Sequence, residues 1–130
     1  MAHEEKRKYP RYSCSIDVNF DFFDGDPDEI DIETSIPEKG KGKIIDISSG
    51  GIFIISNSRV SPGLPIIARF EINKSEYSLK GKIVRTGLLQ NNPTELAQKF
   101  SRYSAIGDAY IAVEFDSPLT NIDFAEIFRI

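Results

Sequence analysis

Two arginines four residues apart, Arg7 and Arg11, and a run of short side chains, Asp46-Ile47-Ser48-Ser49-Gly50-Gly51, carry the chemistry of this chain. A guanidinium grips a phosphate, or the O6 and N7 edge of a guanine, with two parallel charge-assisted bonds, and it stays charged at any working pH. An ionised Asp only accepts, which suits the N1-H and N2-H2 edge of the same base. Ser48 can donate or accept beside it, and Gly51 has no Cβ to hold a ligand away from the backbone. Pro10 limits the freedom of the arginine segment, and Lys6 and Lys8 add positive field. Both runs also have plainer readings. Arg7 and Arg11 fit a solvated basic flank. Asp46, Ser48 and Gly51 fit a capped turn, with Asp and Ser bonding nearby amides and Gly at positive φ.

The two runs, taken together and in this order, resemble the PilZ family, which carries RxxxR ahead of a small β-barrel and [DN]xSxxG at a turn between two barrel strands. The resemblance spans Lys6 to about Pro118. It implies a bacterial, cytoplasmic receptor for cyclic di-GMP that binds rather than catalyses, with Arg7, Arg11, Asp46, Ser48 and Gly51 as ligand contacts. The residue just before RxxxR influences in that family whether one ligand or a stacked pair is bound. Lys6 stands there, and its charge favours a pair. The resemblance further implies ligand-induced ordering of the arm and altered contacts with an unidentified protein partner, with no cofactor beyond the ligand. Two other functions compete with this one: a PilZ-like adaptor that binds only proteins, and a barrel that binds single-stranded nucleic acid through Tyr9, Tyr12 and the basic arm. The overall acidity of the chain argues against nucleic acid as a partner.

Composition sets bounds on function. A chain of 130 residues is one domain, with 11 % aromatic residues and no Trp. No apolar run approaches the length of a membrane span. The opening residues lack a leader pattern, and one Cys, Cys14, cannot form an internal disulfide, so a reducing cytoplasm is expected. His3 near the start and a lone Cys provide no nucleophile-base pair, so an enzyme is not expected. The net charge of −4 is unevenly spread: Asp24, Asp26, Asp28, Glu29, Asp31, Glu33 and Glu38 lie in one stretch. Removing those seven from the 20 acids leaves 13 against 16 Lys and Arg, a body of about +3 that suits a phosphate ligand. The acidic stretch reads as a long solvated hairpin loop, because it lacks the fixed ligand spacing of a calcium loop. No metal is expected.

Short strands must position the two runs. Ser15 to Phe22 alternates Ile16, Val18, Phe20 and Phe22 with polar residues, and Lys43 to Ile47 and Ile52 to Ser56 flank the Ser48-to-Gly51 turn as a hairpin. Pro65 to Ile72 and Tyr77 to Thr86 follow, joined by a turn over Asn73 to Glu76, and Tyr110 to Phe115 is the last. These predict an all-β fold, a six-stranded antiparallel PilZ-type barrel with one or two short peripheral helices. Residues 1–14 read as a flexible arm, mobile without ligand to about residue 13, and residues 15–130 as the barrel, with an acidic loop at about 24–42. One helix is expected after the Asn92-Pro93 cap, with Leu96, Phe100 and Tyr103 on one face. A C-terminal helix is expected after a Thr120/Asp123 capping box, with Phe124, Ile127 and Phe128 apolar.

Overall fold

Alternating apolar residues close the chain into a barrel. The structure, a computed structural model, describes residues 9–89, 106–120 and 122–127. Six strands are present: β1 (Tyr12–Phe22), β2 (Glu38–Ile47), β3 (Gly51–Ser56), β4 (Pro65–Ile72), β5 (Ser75–Leu88) and β6 (Ala109–Phe115). They pair antiparallel in the closed order β1-β2-β3-β6-β5-β4, so no strand edge is left open. Val18, Phe20, Ile44, Ile47, Ile54, Ile66, Ile83 and Ile111 point inward and are almost wholly buried. This core positions the Asp46-to-Gly51 run at the β2–β3 corner, the hairpin read from the sequence.

Several element boundaries differ from expectation, each for a local reason. Asn73 (φ 51°) and Lys74 (φ 70°) both adopt positive φ, so the β4–β5 turn has two residues and β5 starts at Ser75. Such a turn matches the right-handed twist of the flanking strands. β2 reaches back to Glu38, which pairs with Phe22, and the acidic loop is therefore residues 23–37 rather than 24–42. Within it, Asp26 and Asp31 accept the backbone N-H of Asp28 and Glu33 at 3.0 Å each, holding the loop's own turns. β1 begins at Tyr12, whose partner is Ile47, and Ser13 pairs with Asp46. Tyr12 and Ser13 therefore belong to the barrel.

Beyond β6, α1 (Phe124–Ile127) is capped by Asp123, whose carboxylate accepts the Glu126 N-H at 3.2 Å. Asp123 therefore takes the cap role expected of Thr120, and the helix starts after it. Phe124 stacks on Tyr12 with ring centroids 6.1 Å apart, which seats the helix where β1 begins. The helix expected after Asn92-Pro93 and the Phe128 side chain lie outside the described residues. One further layer is not evident from alternation. Ile45, Phe53, Ile55, Tyr110 and Ala112 form a second buried cluster separate from the barrel core, with Phe53 and Tyr110 stacked at 5.3 Å. β2, β3 and β6 are thus apolar on both faces.

An ion triad clasps β1, β2 and β4. Arg69 and Lys39 donate to the Asp21 carboxylate at 2.6 and 2.8 Å. The Arg69 hydrogen bond, followed by that of Lys39, holds the Asp21 carboxyl below its ordinary value of 3.8 against the opposing effect of burial. A carboxyl lowered on folding stabilises the fold above its unfolded value and loses that contribution as pH falls through the folded one. Asp21→Asn should cost about 1–2 kcal/mol at pH 7, less than a fully buried pair because both cations are partly exposed. The deficit should shrink as pH falls through the ordinary carboxyl value of 3.8 and below it. Denaturant unfolding of both proteins across that range checks it, and a pH-independent difference would remove the triad as its cause.

Candidate ligand-binding site

An open cavity of about 490 Å³ lies over the β2–β3 turn, lined by Arg11, Asp46, Ser48 and Gly51 among others. Four of the side chains or positions singled out in the sequence therefore share one concave surface. Arg7 and Lys6 lie outside the described residues. The volume is within the range of small-molecule sites.

Asp46 reaches this cavity because β2 bulges. Ile44 pairs with Ile54 and Asp46 with Phe53, so Ile45 is an extra residue and the alternation shifts by one. Without the shift, Asp46 would share the inward phase of Ile44 and carry its charge into the core. The bulge instead turns it outward, where Arg11 Nη1 stands 3.5 Å from its Oδ2. That separation and the half-exposed guanidinium make a weak pair that can exchange partners. Cys14 is packed nearby, and its thiol is pushed up to about 12, first by burial and then by the charge of Asp46. Both effects favour the neutral thiol over the thiolate.

The turn itself is tightly fixed. Ser48 Oγ accepts the Gly50 N-H at 3.1 Å, and the Ser48 N-H donates to the Gly51 carbonyl at 3.0 Å. The Gly50 and Ser49 carbonyls accept the N-H groups of Phe115 and Leu119, each at 2.8 Å, so the segment after β6 is bonded to the turn. Gly51 also matters to the barrel itself. Neither it nor Gly50 has positive φ, and a Cβ on Gly51 would meet the Val113 carbonyl oxygen at 2.1 Å. Close strand approach by itself demands glycine there. A Cβ on Gly50 would come within 2.8 Å of the Tyr9 ring, which shows that the ring lies against this turn.

Among the lining residues that sequence reasoning missed are Val84, Arg85 and Glu114. β5 also bulges, since Ile83 pairs with Val113 and Arg85 with Ala112, leaving Val84 extra. The signal was available in outline: Arg85 falls in the inward phase of Leu79, Gly81 and Ile83, and a charge at an inward position marks a break in alternation. Among the described residues no group of three His, Cys, Asp or Glu side chains is arranged to hold a metal. No helix among them is long and apolar enough to cross a membrane.

Comparison with known proteins bears on the whole chain. The PilZ domain family model matches residues 5–129. Among solved structures, the Bacillus subtilis inhibitor of motility MotI/DgrA aligns with 14 % identity and a TM-score of 0.58, over 96 % of this chain and 49 % of that protein. The chain thus spans about half the length of that relative. The PilZ domain of YcgR from Escherichia coli, solved with cyclic di-GMP, aligns with 9 % identity and a TM-score of 0.51, over 86 % of this chain and 79 % of that one. At these identities the likeness is one of fold. No curated protein matches the chain significantly.

Proposed function

Because the chain belongs to the PilZ domain family, a family of regulatory binding domains, we propose that it is a cyclic di-GMP receptor, bound through Arg7, Arg11, Asp46, Ser48 and Gly51 with Lys6 adjoining. The observation that supports this most is the convergence of Arg11, Asp46, Ser48 and Gly51 on one cavity. Arg11 supplies a fork for phosphate or for guanine O6 and N7, and Asp46 the acceptor for N1-H and N2-H2. Ser48 already accepts from Gly50, so its hydroxyl hydrogen remains to be donated to the ligand. The protein works without chemistry, in the cytoplasm, and passes the signal to a protein partner. Calorimetric titration with cyclic di-GMP, its adenine analogue and a 20-nucleotide single strand tests the reading. Saturable binding of the first alone is expected, whereas tight, salt-dependent strand binding would replace it with a nucleic-acid function.

Binding is proposed to order the arm. Tyr9 packs on Gly50 and Arg11 lies beside Asp46, so the arm's last residues are already seated next to the turn. Arg7 engages the ligand only if the residues before Tyr9 fold over the cavity, and the entropy of that step lowers affinity below the sum of contacts. The Ser49 and Gly50 bonds to Leu119 and Phe115 connect the same turn to the segment that leads to α1. Amide exchange should slow at Lys6, Arg7 and Lys8 on saturation with cyclic di-GMP. Unchanged exchange there, with binding established, would move the output to the C-terminal segment.

A further inference from the structure

The cavity holds charge beyond the arm and the β2–β3 turn. Of the four described arginines, Arg59 has Asp108 at 2.7 Å, Arg69 has Asp21 at 2.6 Å, and Arg11 has Asp46 at 3.5 Å. Arg85 has neither an ion pair nor a side-chain hydrogen bond among the described residues, and it lines the cavity. Glu114 lines it too and is equally unpartnered among them. Both are exposed, on neighbouring strands of the barrel's outer surface. The register sets Arg85 opposite Ala112 and Gly51 opposite Glu114. Arg85 and Glu114 are therefore diagonal neighbours across β5 and β6, on the same face and about 7–8 Å apart, with small Ala112 directly opposite Arg85 and Lys82 directly opposite Glu114. Beside them Val84, 50 % exposed, offers an apolar surface of the kind a base face covers.

We infer that Arg85 and Glu114 form a second guanine-reading pair, which repeats across the cavity the division of labour of Arg11 and Asp46. The inference rests on the proposed function. A cyclic dinucleotide with two guanines presents two identical edges, and a single Arg/Asp set reads one of them. Arg85 takes O6 and N7 of the second base, and Glu114 accepts from its N1-H and N2-H2. An adenine at that position meets Glu114 with no N1-H, leaving the carboxylate unpaired and the ligand disfavoured. The pair thus makes the protein select cyclic di-GMP over the mixed guanine-adenine dinucleotide.

Calorimetric titration of the whole chain and of Glu114→Gln, Arg85→Ala and Lys82→Ala with cyclic di-GMP, the mixed dinucleotide and cyclic di-AMP tests this. The wild type should prefer cyclic di-GMP over the mixed ligand by at least tenfold. Glu114→Gln should weaken cyclic di-GMP about tenfold to hundredfold and barely change the mixed ligand, so that the preference collapses. Arg85→Ala should weaken cyclic di-GMP by a similar factor. Lys82 stands opposite Glu114 in the register and does not line the cavity, so Lys82→Ala should bind as the wild type. Unaltered preference in both Glu114→Gln and Arg85→Ala, with wild-type binding intact, overturns the second reader and leaves the receptor reading standing. Tighter binding of every dinucleotide by Glu114→Gln also overturns it, since Glu114 then only opposes the phosphates. A Lys82→Ala phenotype equal to that of Glu114→Gln does the same. A wild type that binds no cyclic dinucleotide overturns both readings.

Discussion

Gly51→Ala should destabilise the protein by about 3 kcal/mol, the upper end of what overpacking a rigid site costs. The new methyl would meet the Val113 carbonyl oxygen at 2.1 Å and its carbon at 3.2 Å. Both are backbone atoms of β6, held in the ladder that pairs Gly51 with Glu114, so neither can rotate away. Relief requires the β3–β6 rung to open at the corner that also carries Ser48 and the bonds to Phe115 and Leu119. Gly50→Ala is the matched control. Its methyl would meet the Tyr9 ring at 2.8 and 3.1 Å and Ser48 Oγ at 3.9 Å, and side-chain atoms yield more readily than a paired strand backbone. That variant should lose less than about 1 kcal/mol. Denaturant unfolding of both measures the contrast, and a Gly51→Ala protein as stable as Gly50→Ala would mean that the rung yields freely.

Asp46→Ala should weaken cyclic di-GMP about tenfold to hundredfold, the loss of a charge-assisted contact worth roughly 1.5–3 kcal/mol. Loss of its long, half-exposed pairing with Arg11 should by itself cost less than about 1 kcal/mol of stability. The adenine analogue, which has no N1-H or N2-H2 to offer, should bind the variant as poorly as it binds the wild type. Arg11→Ala should cost cyclic di-GMP a similar factor, because the bidentate fork is lost and Lys8 cannot replace its geometry. Titration at two salt concentrations separates the two. The residual binding of Asp46→Ala should keep its salt dependence, while that of Arg11→Ala should be less salt-dependent. Equal weakening of guanine and adenine ligands by Asp46→Ala would remove Asp46 as the guanine reader.

Much of this was legible in one dimension. Strict alternation in Ile16 to Phe22, Ile66 to Ile72 and Tyr77 to Ile83 assigned strands and inward faces correctly, because a period of two has a single reading when one face is apolar. The order of RxxxR and DxSxxG indicated the family, and the composition of the turn indicated that Asp46, Ser48 and Gly51 would lie together. A peripheral loop rich in acids was equally plain, although its end was misplaced because Lys39 and Lys41 continue the β2 ladder while pointing to solvent.

Three-dimensional closure decided which way the charged residues point. Alternation alone sends Asp46 inward with Ile44 and Arg85 inward with Ile83, and the bulges at Ile45 and Val84 reverse both. Bulges of this kind are frequent at the rims of closed barrels, and the register that places them is a relation between strands that no single segment records. The need for glycine at 51 likewise arises from β6, more than sixty residues away in the chain, whose Val113 carbonyl occupies the space of a Cβ. Arg85 and Glu114 come near one another only because β5 and β6 are neighbours in the ring, with Arg85 opposite Ala112. Sequence determined the strands and the residue types that can read a base; register and closure determined which of them share a cavity, since register is set by contacts between segments and not within them.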